Sequence, residues 1–243
     1  MPQPLIIIGT GGNALDILDI VDALNAVQPA WEVAGFLDDS RPRGSTFEGF
    51  EILGGLRDAA TFADRLFLNA IGSDRSYRKR PETIAQTNLA SEKFATLIHP
   101  GASVSRRAKL GSGTCVNPGV VIAGGSTIGS HVWLGSGSVI GHDVAIADFA
   151  MIAPQAVLSG FARVEQAAYV GAGAYVRQRV TIGERALVGL GSVVIADVAA
   201  KTTVVGNPAR PLVRVSRGKS GDTPAPRVGL PDPPEPADRT GNE

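Results

Sequence analysis

Several residue types that many folds depend on are scarce in this sequence of 243 residues. The single cysteine, Cys115, excludes an internal disulfide and a cysteine-based zinc cluster, and it favours a reducing, cytoplasmic location. Aromatic residues make up 5% of the chain, and there are three histidines. Basic and acidic residues number 23 each, so the net charge predicts no electrostatic attraction to nucleic acid or to an anionic membrane.

Long apolar runs are scarce as well. The start, "MPQPLIIIGTGG", contains one short apolar run at residues 5–9, which predicts neither a signal peptide nor a membrane anchor. No later segment reaches the ~18 apolar residues of a membrane span. The chain does have 44% hydrophobic residues and 30 glycines, which predict a globular protein with many tight turns and a core of small aliphatic side chains.

A six-residue repeat that begins at Val104 is the most specific signal in the sequence. Sixteen consecutive hexads have Val, Ile or Leu in first place, and the fifth place is always Ala, Ser, Thr or Val. The fifth place and the next first place are two residues apart, so both side chains of an extended segment point inward and the sixth points outward. Each hexad is therefore predicted to be a short strand followed by a corner, and three strands close a triangular coil of eighteen residues.

The outward residues in sixth place form three columns, one for each face of the predicted coil. We define them as face 1 (Cys115, Trp133, Met151, Tyr169, Leu187), face 2 (Val121, Val139, Val157, Tyr175, Val193) and face 3 (Lys109, Thr127, Ala145, Arg163, Thr181). Faces 1 and 2 are apolar, and continuous apolar strips mark contact surfaces. Because the two strips differ, we expect face 1 of one subunit to meet face 2 of the next in a closed homotrimer. The alternative is that the chain's own C-terminal segment covers these strips.

One histidine lies at a corner with open space around it. His142, in "SVIGHDVAIAD", occupies the third place of its hexad, between faces 2 and 3. Glycines lie one coil before it, at Gly124, and one coil after it, at Gly160. We expect the imidazole at the rim of a groove between subunits, the alternative being a solvated turn residue. The other two histidines have no such clearance: His131 is expected at the surface or in packing, and His99 at a junction.

Several stretches together resemble the bacterial sugar acyltransferase family over residues 4 to about 214. They are the hexads, the corner "IGHD", the ending "VVGNPARPL", and the N-terminal "IIIGTGGNA" and "VAGFLDD". The family includes UDP-4-amino-sugar N-acetyltransferases of glycan biosynthesis and sialic acid O-acetyltransferases. The resemblance implies a left-handed parallel β-helix, acetyl-CoA as co-substrate and no metal.

The resemblance also implies roles for individual residues. His142 would be the general base, Asp143 would hold the other imidazole nitrogen, and the backbone N–H of Gly160 would stabilise the oxyanion. Gly160 follows His142 by eighteen residues, so the coil spacing agrees with that role. Coenzyme A is expected to contact Gly160, Ala172, Gly189, Leu190 and Arg210. Cys115 lies on a different edge, so we expect direct transfer in a ternary complex and no acyl-enzyme.

Two positions depart from the family pattern. Met151 stands where many relatives have a second histidine, in the column expected to face a neighbour's His142. Asn13 stands in the glycine-rich loop where relatives often have histidine. Both departures bear on the choice of acceptor.

The first hundred residues predict a small α/β domain with a parallel sheet. We expect strands at residues 4–9, 31–37 and 65–73, a basic helix at residues 75–90, and a last strand at residues 94–99. A first helix follows the glycine-rich loop, and its predicted apolar face is Leu15, Leu18, Val21 and Leu24.

This α/β domain is expected to bind a nucleotide-sugar at the carboxyl ends of its strands. Phosphates would lie at the helix N-terminus, with Asp38 or Asp39 on the base or ribose. The predicted binding residues are Gly9, Gly11, Gly12, Asn13, Asp38, Asp39, Ser73 and Arg75. An NAD-binding Rossmann domain is the rival interpretation of the pattern G-x-G-x-x-A, and a purely structural domain is the other alternative.

The sequence thus predicts an α/β domain at residues 1–98, a β-helix at residues 99–214 and a flexible, proline-rich tail at residues 215–243. The predicted function is acetyl-CoA-dependent N-acetylation of a nucleotide-linked amino sugar. O-acetylation of a sugar hydroxyl and a non-catalytic, nucleotide-sugar-binding β-helix remain alternatives.

Overall fold

The computed structural model describes residues 2–62 and 64–212. The predicted tail at residues 215–243 lies outside this range. The N-terminal α/β domain contains β1 (Gln3–Ile8), α1 (Gly12–Val27), β2 (Trp31–Leu37), β3 (Thr46–Phe47), β4 (Phe50–Gly54), β5 (Leu66–Asn69) and α2 (Arg80–Ala85). Short 3-10 helices span Leu56–Phe62, Tyr77–Lys79 and Ser91–Lys93. No helix in these two ranges is long and apolar enough to cross a bilayer.

The five strands form one sheet in the order β3-β4-β2-β1-β5. All neighbouring pairs are parallel except β3 with β4. The central strand β1 reads LIII from Leu5 to Ile8, and each of these side chains is 0% exposed. Such a continuous apolar run is typical of a parallel strand that is covered on both faces. The carboxyl ends of β1, β2 and β5 therefore meet at one edge of the sheet.

From Leu97 onward the chain forms the predicted triangular coil. Face 1 consists of β6 (Leu97–Ile98), β9 (Cys115–Val116), β12 (Trp133–Leu134), β15 (Met151–Ile152), β18 (Tyr169–Val170), β21 (Leu187–Val188), β23 (Thr203–Val205) and the antiparallel β24 (Arg210–Pro211). Face 2 consists of β7 (Ser103–Val104), β10 (Val121–Ile122), β13 (Val139–Ile140), β16 (Val157–Leu158), β19 (Tyr175–Val176) and β22 (Val193–Val194). Face 3 consists of β8 (Lys109–Leu110), β11 (Thr127–Ile128), β14 (Ala145–Ile146), β17 (Arg163–Val164) and β20 (Thr181–Ile182).

The strand register confirms the eighteen-residue repeat. Val139 pairs with Val157, and Ile140 pairs with Leu158, in parallel ladders. The core of the coil contains the first-place aliphatic residues together with fifth-place residues such as Ala156, Ala162 and Ala168, which are 0% exposed. The predicted fold class, an α/β domain followed by a hexapeptide-repeat parallel β-helix, is confirmed.

Face 1 is covered by the α/β domain of the same chain, so the expectation that it is free to meet a neighbour was wrong. Cys115, Trp133 and Met151 are at most 4% exposed, in one apolar cluster with Ile17 and Ile20 of α1. The sequence had placed Met151 opposite a neighbour's His142. Because Met151 is buried beneath its own α/β domain, it cannot lie there. Burial also raises the pKa of the Cys115 thiol. Face 2 remains open in the single chain, with Tyr175 56% exposed.

Three predictions for the α/β domain need correction. The helix expected at residues 75–90 is a 3-10 turn followed by α2, because Pro81 at the start of α2 begins a new helical segment. The strand expected at residues 94–99 is divided: Phe94 forms a parallel bridge to Phe67 of β5, whereas Leu97–Ile98 belong to the coil, since Leu97 pairs with Cys115. The apolar face predicted for α1 is correct only in part: Val21 is buried and Leu18 and Leu24 pack half-buried against the core, but Leu15 is 43% exposed. The other buried residues of α1 are Ala14, Ile17 and Ile20.

Candidate active site

His142 lies at the corner between β13 and β14, where faces 2 and 3 meet. Its side chain is 62% exposed, and its Nδ1 lies 2.9 Å from Oδ2 of Asp143. An ionised carboxylate only accepts hydrogen bonds, so this contact places the imidazole proton on Nδ1. The Nε2 lone pair is then free to accept a proton from a substrate.

Gly160 provides the space next to that free nitrogen. A Cβ atom built on Gly160 would lie 2.6 Å from Nε2 of His142, closer than van der Waals contact allows. The ring of Phe161 packs against the imidazole in a T-shaped arrangement, with ring centroids 5.1 Å apart and planes at 90°. The guanidinium of Arg179 in turn lies 4.5 Å above the centroid of Phe161. The imidazole is thus oriented by Asp143 and Phe161, and its exposed ring lies over Gly160.

The predicted coenzyme A residues fall into two groups. Gly160 lies at the His142 corner. Ala172 and Leu190 lie one coil apart at the other edge of face 2, where Gly191 donates its N–H to the carbonyl of Ala172. Nearby, the Cβ of an alanine at Gly189 would lie 2.7 Å from Val205, which pairs with Arg210 in the terminal hairpin. Face 2 connects these groups, and their role in binding stays a prediction.

A second candidate site is a cavity of about 520 Å³ at the carboxyl edge of the α/β sheet. It is lined by Gly9, Thr10, Gly11, Gly12, Asn13, Asp38, Ala70, Ile71, Gly72, Ser73 and Ser76. Helix α1 begins here with Gly11 as N-cap and no side-chain cap, so its first N–H groups are available to a ligand. A Cβ at Gly11 or Gly12 would meet nothing within 4 Å, which leaves room for phosphate groups.

Asn13 fixes the shape of this cavity. Its Nδ2 donates to the carbonyls of Ala70 and Gly72, at 3.1 and 3.0 Å. The start of α1 is thereby attached to the loop that follows β5. Asn13 therefore holds the cavity wall in place through its amide N–H groups, while its amide oxygen can still accept a hydrogen bond from a ligand.

The structure separates the two aspartates that were predicted to bind the base or ribose. Asp38 lines the cavity, and its carboxylate accepts hydrogen bonds from the N–H and hydroxyl groups of Thr10 and Ser40, at 2.6–2.9 Å. Burial raises the pKa of Asp38, but these hydrogen bonds outweigh it and the net shift is downward. Asp39 instead accepts the N–H of Leu56 at 2.9 Å and does not line the cavity.

The remaining predicted substrate residues are also split. Ser73 lines the cavity, whereas Arg75 is exposed and does not line it. Sequence reasoning missed Arg41, whose Nε donates to Thr10 Oγ1 at 2.9 Å and whose guanidinium lies over the ring of Phe47. It also missed Phe161, although its position beside Gly160 in the hexad grid was available as a signal.

The two candidate sites of one chain lie on opposite sides of the coil. The α/β domain packs on face 1, whereas His142 occupies the corner opposite that face. Extended residues rise about 3.3 Å each, so a six-residue edge puts this corner on the order of 15 Å from face 1. A substrate held in the cavity cannot reach the imidazole of the same chain along a short path.

Comparisons with known proteins relate both domains to sugar acetyltransferases. Residues 4–82 match the model of the PglD N-terminal domain, and residues 125–160 match that of the bacterial transferase hexapeptide (six repeats). The acetyltransferase domain of PglB from Neisseria gonorrhoeae FA1090 is 32% identical, with a TM-score of 0.75, over 86% of this chain and 100% of that one. It has also been solved in complex with acetyl coenzyme A.

The descriptions of two further relatives mention a nucleotide-sugar. PerB from Caulobacter crescentus, solved with CoA and GDP-perosamine, is 28% identical, with a TM-score of 0.75, over 86% of this chain and 97% of that one. UDP-N-acetylbacillosamine N-acetyltransferase of Bacillus subtilis (strain 168) is 34% identical over 116 residues, which are 45% of this chain. The match spans about half the length of that curated relative.

The architecture and the corner histidine define a hexapeptide-repeat acyltransferase with an attached α/β domain. The chain belongs to the bacterial sugar O- and N-acyltransferase family, as its resemblance had predicted.

Proposed function

We propose that this protein is an acetyl-CoA-dependent N-acetyltransferase that acts on the amino group of a nucleotide-linked amino sugar. The observation that carries the proposal is the His142–Asp143 pair, with a free Nε2 above Gly160, in a chain that also has a cavity with an uncapped helix N-terminus. The printed names of the relatives, which include N-acetyltransferases and a complex with CoA and GDP-perosamine, support this choice of substrates.

In the proposed reaction His142 accepts a proton from the sugar amine at Nε2 while the amine nitrogen bonds to the carbonyl carbon of the acetyl thioester. Asp143 stabilises the imidazolium that forms. The backbone N–H of Gly160 donates to the carbonyl oxygen as it gains negative charge. The C–S bond then breaks, and the imidazolium returns its proton to the departing thiolate. The products are the acetamido sugar and CoA, and no covalent enzyme intermediate is required.

We further propose that each active site is shared between two protomers of a homotrimer. The α/β domain packs on face 1 of its own chain and His142 lies at the opposite corner, so the nucleotide cavity of one protomer would serve the His142 of a neighbour. The apolar, exposed face 2 adjoins His142 and supplies a surface for that contact. Because face 1 is already covered, the original pairing of face 1 with face 2 no longer supports the trimer. The cytoplasmic location also stays a prediction.

The test combines binding with turnover. A thermal-shift screen of UDP-, GDP- and dTDP-linked amino sugars identifies the acceptor, and release of free thiol from acetyl-CoA then measures transfer to it. His142→Ala should lower turnover by at least ~100-fold with substrate binding retained, because the base acts in the transition state.

The matched control is His99→Ala, a half-buried histidine whose Nδ1 accepts only the N–H of Gly101 in a turn. It should turn over like the wild type. Near-normal turnover by His142→Ala would remove His142 from its proposed role, and thiol release with a hydroxyl sugar but not its amino analogue would favour O-acetylation instead.

A further inference from the structure

A buried arginine connects the cavity wall to the β-helix. Arg80, the first residue of α2, is 2% exposed. Its Nε donates to the carbonyl of Ile71 at 2.9 Å, and its Nη1 donates to the carbonyl of Phe149 at 2.6 Å. Ile71 lines the nucleotide cavity, and Phe149 lies at a corner between faces 3 and 1. One guanidinium therefore fixes the loop at residues 70–73 against the coil.

The charge of this guanidinium is not cancelled by an acid. None of the ion pairs formed within residues 2–62 and 64–212 includes Arg80. Burial lowers the pKa of Arg80 to about 10, so the group remains protonated at neutral pH. Its field is felt nearby: burial first and Arg80 second lower the pKa of His131 to about 4, although Asp148 opposes them. Carbonyl oxygens satisfy its hydrogen bonds but carry only partial charge.

This buried charge lies directly behind the cavity. A Cβ at Gly72, a lining residue, would lie 3.1 Å from Nε of Arg80. The backbone of Gly72 thus lies between the guanidinium and the ligand space, and salt screens a buried charge of this kind only weakly. The opposite side of the cavity holds the start of α1, whose dipole also favours an anion. Both walls therefore favour negative charge.

We propose that Arg80 is a positioning and specificity residue for the phosphate groups of the nucleotide, acting through the cavity wall without touching them. It would set the position of the loop at residues 70–73 and make the cavity select a diphosphate over ligands of lower charge. The inference rests on the proposed function, since it assigns the cavity to a nucleotide. A purely structural tie between domain and coil would give no such selectivity.

The test measures affinity by calorimetry on the full chain, for a nucleoside diphosphate and for its nucleoside monophosphate, with the base taken from the thermal-shift screen. Arg80→Met removes both charge and hydrogen bonds, Arg80→Gln keeps a donor without charge, and Arg80→Lys keeps the charge. We expect the first two to weaken diphosphate binding by roughly 10-fold and monophosphate binding by no more than about 3-fold. Arg80→Lys should retain most of the selectivity.

Arg78→Met is the matched control, because Arg78 also bridges the domain to the coil, through the carbonyls of Arg185 and Lys201, but does not line the cavity. Its selectivity should equal that of the wild type. Circular dichroism checks folding, and Arg80→Gln decides if Arg80→Met does not fold. If the Arg80 variants lost equal affinity for both ligands, or lost affinity for neither, the inference would be overturned and the proposed function would stand. Failure of the wild type to bind any nucleotide would overturn the proposed function together with it.

Discussion

At the residue scale, the corners of the coil depend on a backbone conformation that few side chains adopt readily. The fourth place of many hexads has a positive φ, for example 56° at Asp143, 62° at Phe161 and 61° at Arg179. Such angles are uncommon for residues other than glycine, and most so for bulky ones. At Asp143 this turn directs the carboxylate back to the preceding imidazole. At Phe161 it brings the phenyl ring against the same imidazole, so the corner geometry itself orients His142.

Gly160→Ala tests whether that orientation matters. The added Cβ would lie 2.6 Å from Nε2 of His142, so the imidazole must move, while the backbone N–H of residue 160 is retained. A displacement on the order of 1 Å at a reacting group can lower a rate by about 100-fold. We expect kcat to fall at least ~10-fold, with little change in the KM for the nucleotide-sugar. Steady-state thiol release measures both constants.

Gly124→Ala is the control, since Gly124 lies one coil before His142 in the same column. There a Cβ would lie 3.4 Å from Ser105 Oγ, an ordinary contact, and no imidazole is displaced. Activity close to that of the wild type is expected. Equal losses in both variants would mean that the column tolerates no side chain for reasons of folding, and unchanged activity in Gly160→Ala would show that the imidazole does not work above this glycine.

Sequence spacing predicted which residues meet at the corner but not how the α/β domain uses its polar residues. His142 and Gly160 are eighteen residues apart, and a regular coil converts that spacing into contact. Asp38 and Asp39 are adjacent in sequence, yet one faces the cavity and the other binds the N–H of Leu56. Arg80 lies in a basic stretch that is typical of a solvated surface, and its burial depends on the coil packing against it.

At the scale of elements, periodicity predicted the strands of the coil from β8 to β22 but not β6, β23 and β24, which lie outside the hexads, nor which face the chain itself covers. The strand positions follow from local alternation, which repeats along the chain. Which apolar face is covered depends on how α1 and the sheet fold back onto the coil, and the hexads carry no signal for that. Helix α1 has apolar residues on two sides, so the sequence predicted Val21 on its buried face but missed Ala14, Ile17 and Ile20.

An aromatic stack at the edge of face 1 makes the stability of the folded chain depend on pH. His131 lies against Phe149, with ring centroids 4.6 Å apart and planes 9° apart, and against Phe94 at 4.4 Å. It is 6% exposed, so of the two places expected for it, at the surface or in packing, the structure shows packing. The pKa of His131 is lowered from 6.5 to about 4, first by burial and then by Arg80, against an opposing effect of Asp148.

The sign of the effect follows from proton binding. Between pH 6.5 and 4 the unfolded chain binds the extra proton and the folded chain does not, so the free energy of unfolding falls as the pH is lowered through this window. This group alone should remove about 2 kcal/mol between pH 7 and pH 5. Urea unfolding at both pH values measures the loss.

His131→Phe is the matched variant, because it keeps an aromatic ring between Phe94 and Phe149 but cannot bind a proton. We expect its free energy of unfolding to decline less than that of the wild type over the same interval. Parallel declines in the two proteins would mean that His131 is not responsible for the acid sensitivity.

At the scale of the whole molecule, the position of the α/β domain decides how an active site can be completed. The domain occupies face 1 of its own coil, and His142 lies at the far corner on the order of 15 Å away. The nucleotide cavity and the His142 imidazole of one chain thus face different directions. If both serve one reaction, the reaction requires a second protomer, and a closed ring lets every cavity meet one histidine.

Mixing two inactive variants tests this arrangement. His142→Ala lacks the general base but keeps the cavity. Gly12→Asp places a carboxylate at the start of α1, where a Cβ meets nothing within 4 Å and where the carboxylate charge repels phosphate. Each homo-oligomer should be inactive. In an equal, random mixture half of the cavities are intact and half of the neighbouring histidines are intact, so about a quarter of the sites should regain activity. Coexpression with two different affinity tags isolates the mixed trimers, in which one site of the three combines an intact cavity with an intact histidine, so about a third of their sites should be active. Thiol release measures the recovery. A site confined to one chain would show no recovery at any mixing ratio, because no protomer in the mixture has both an intact cavity and an intact histidine.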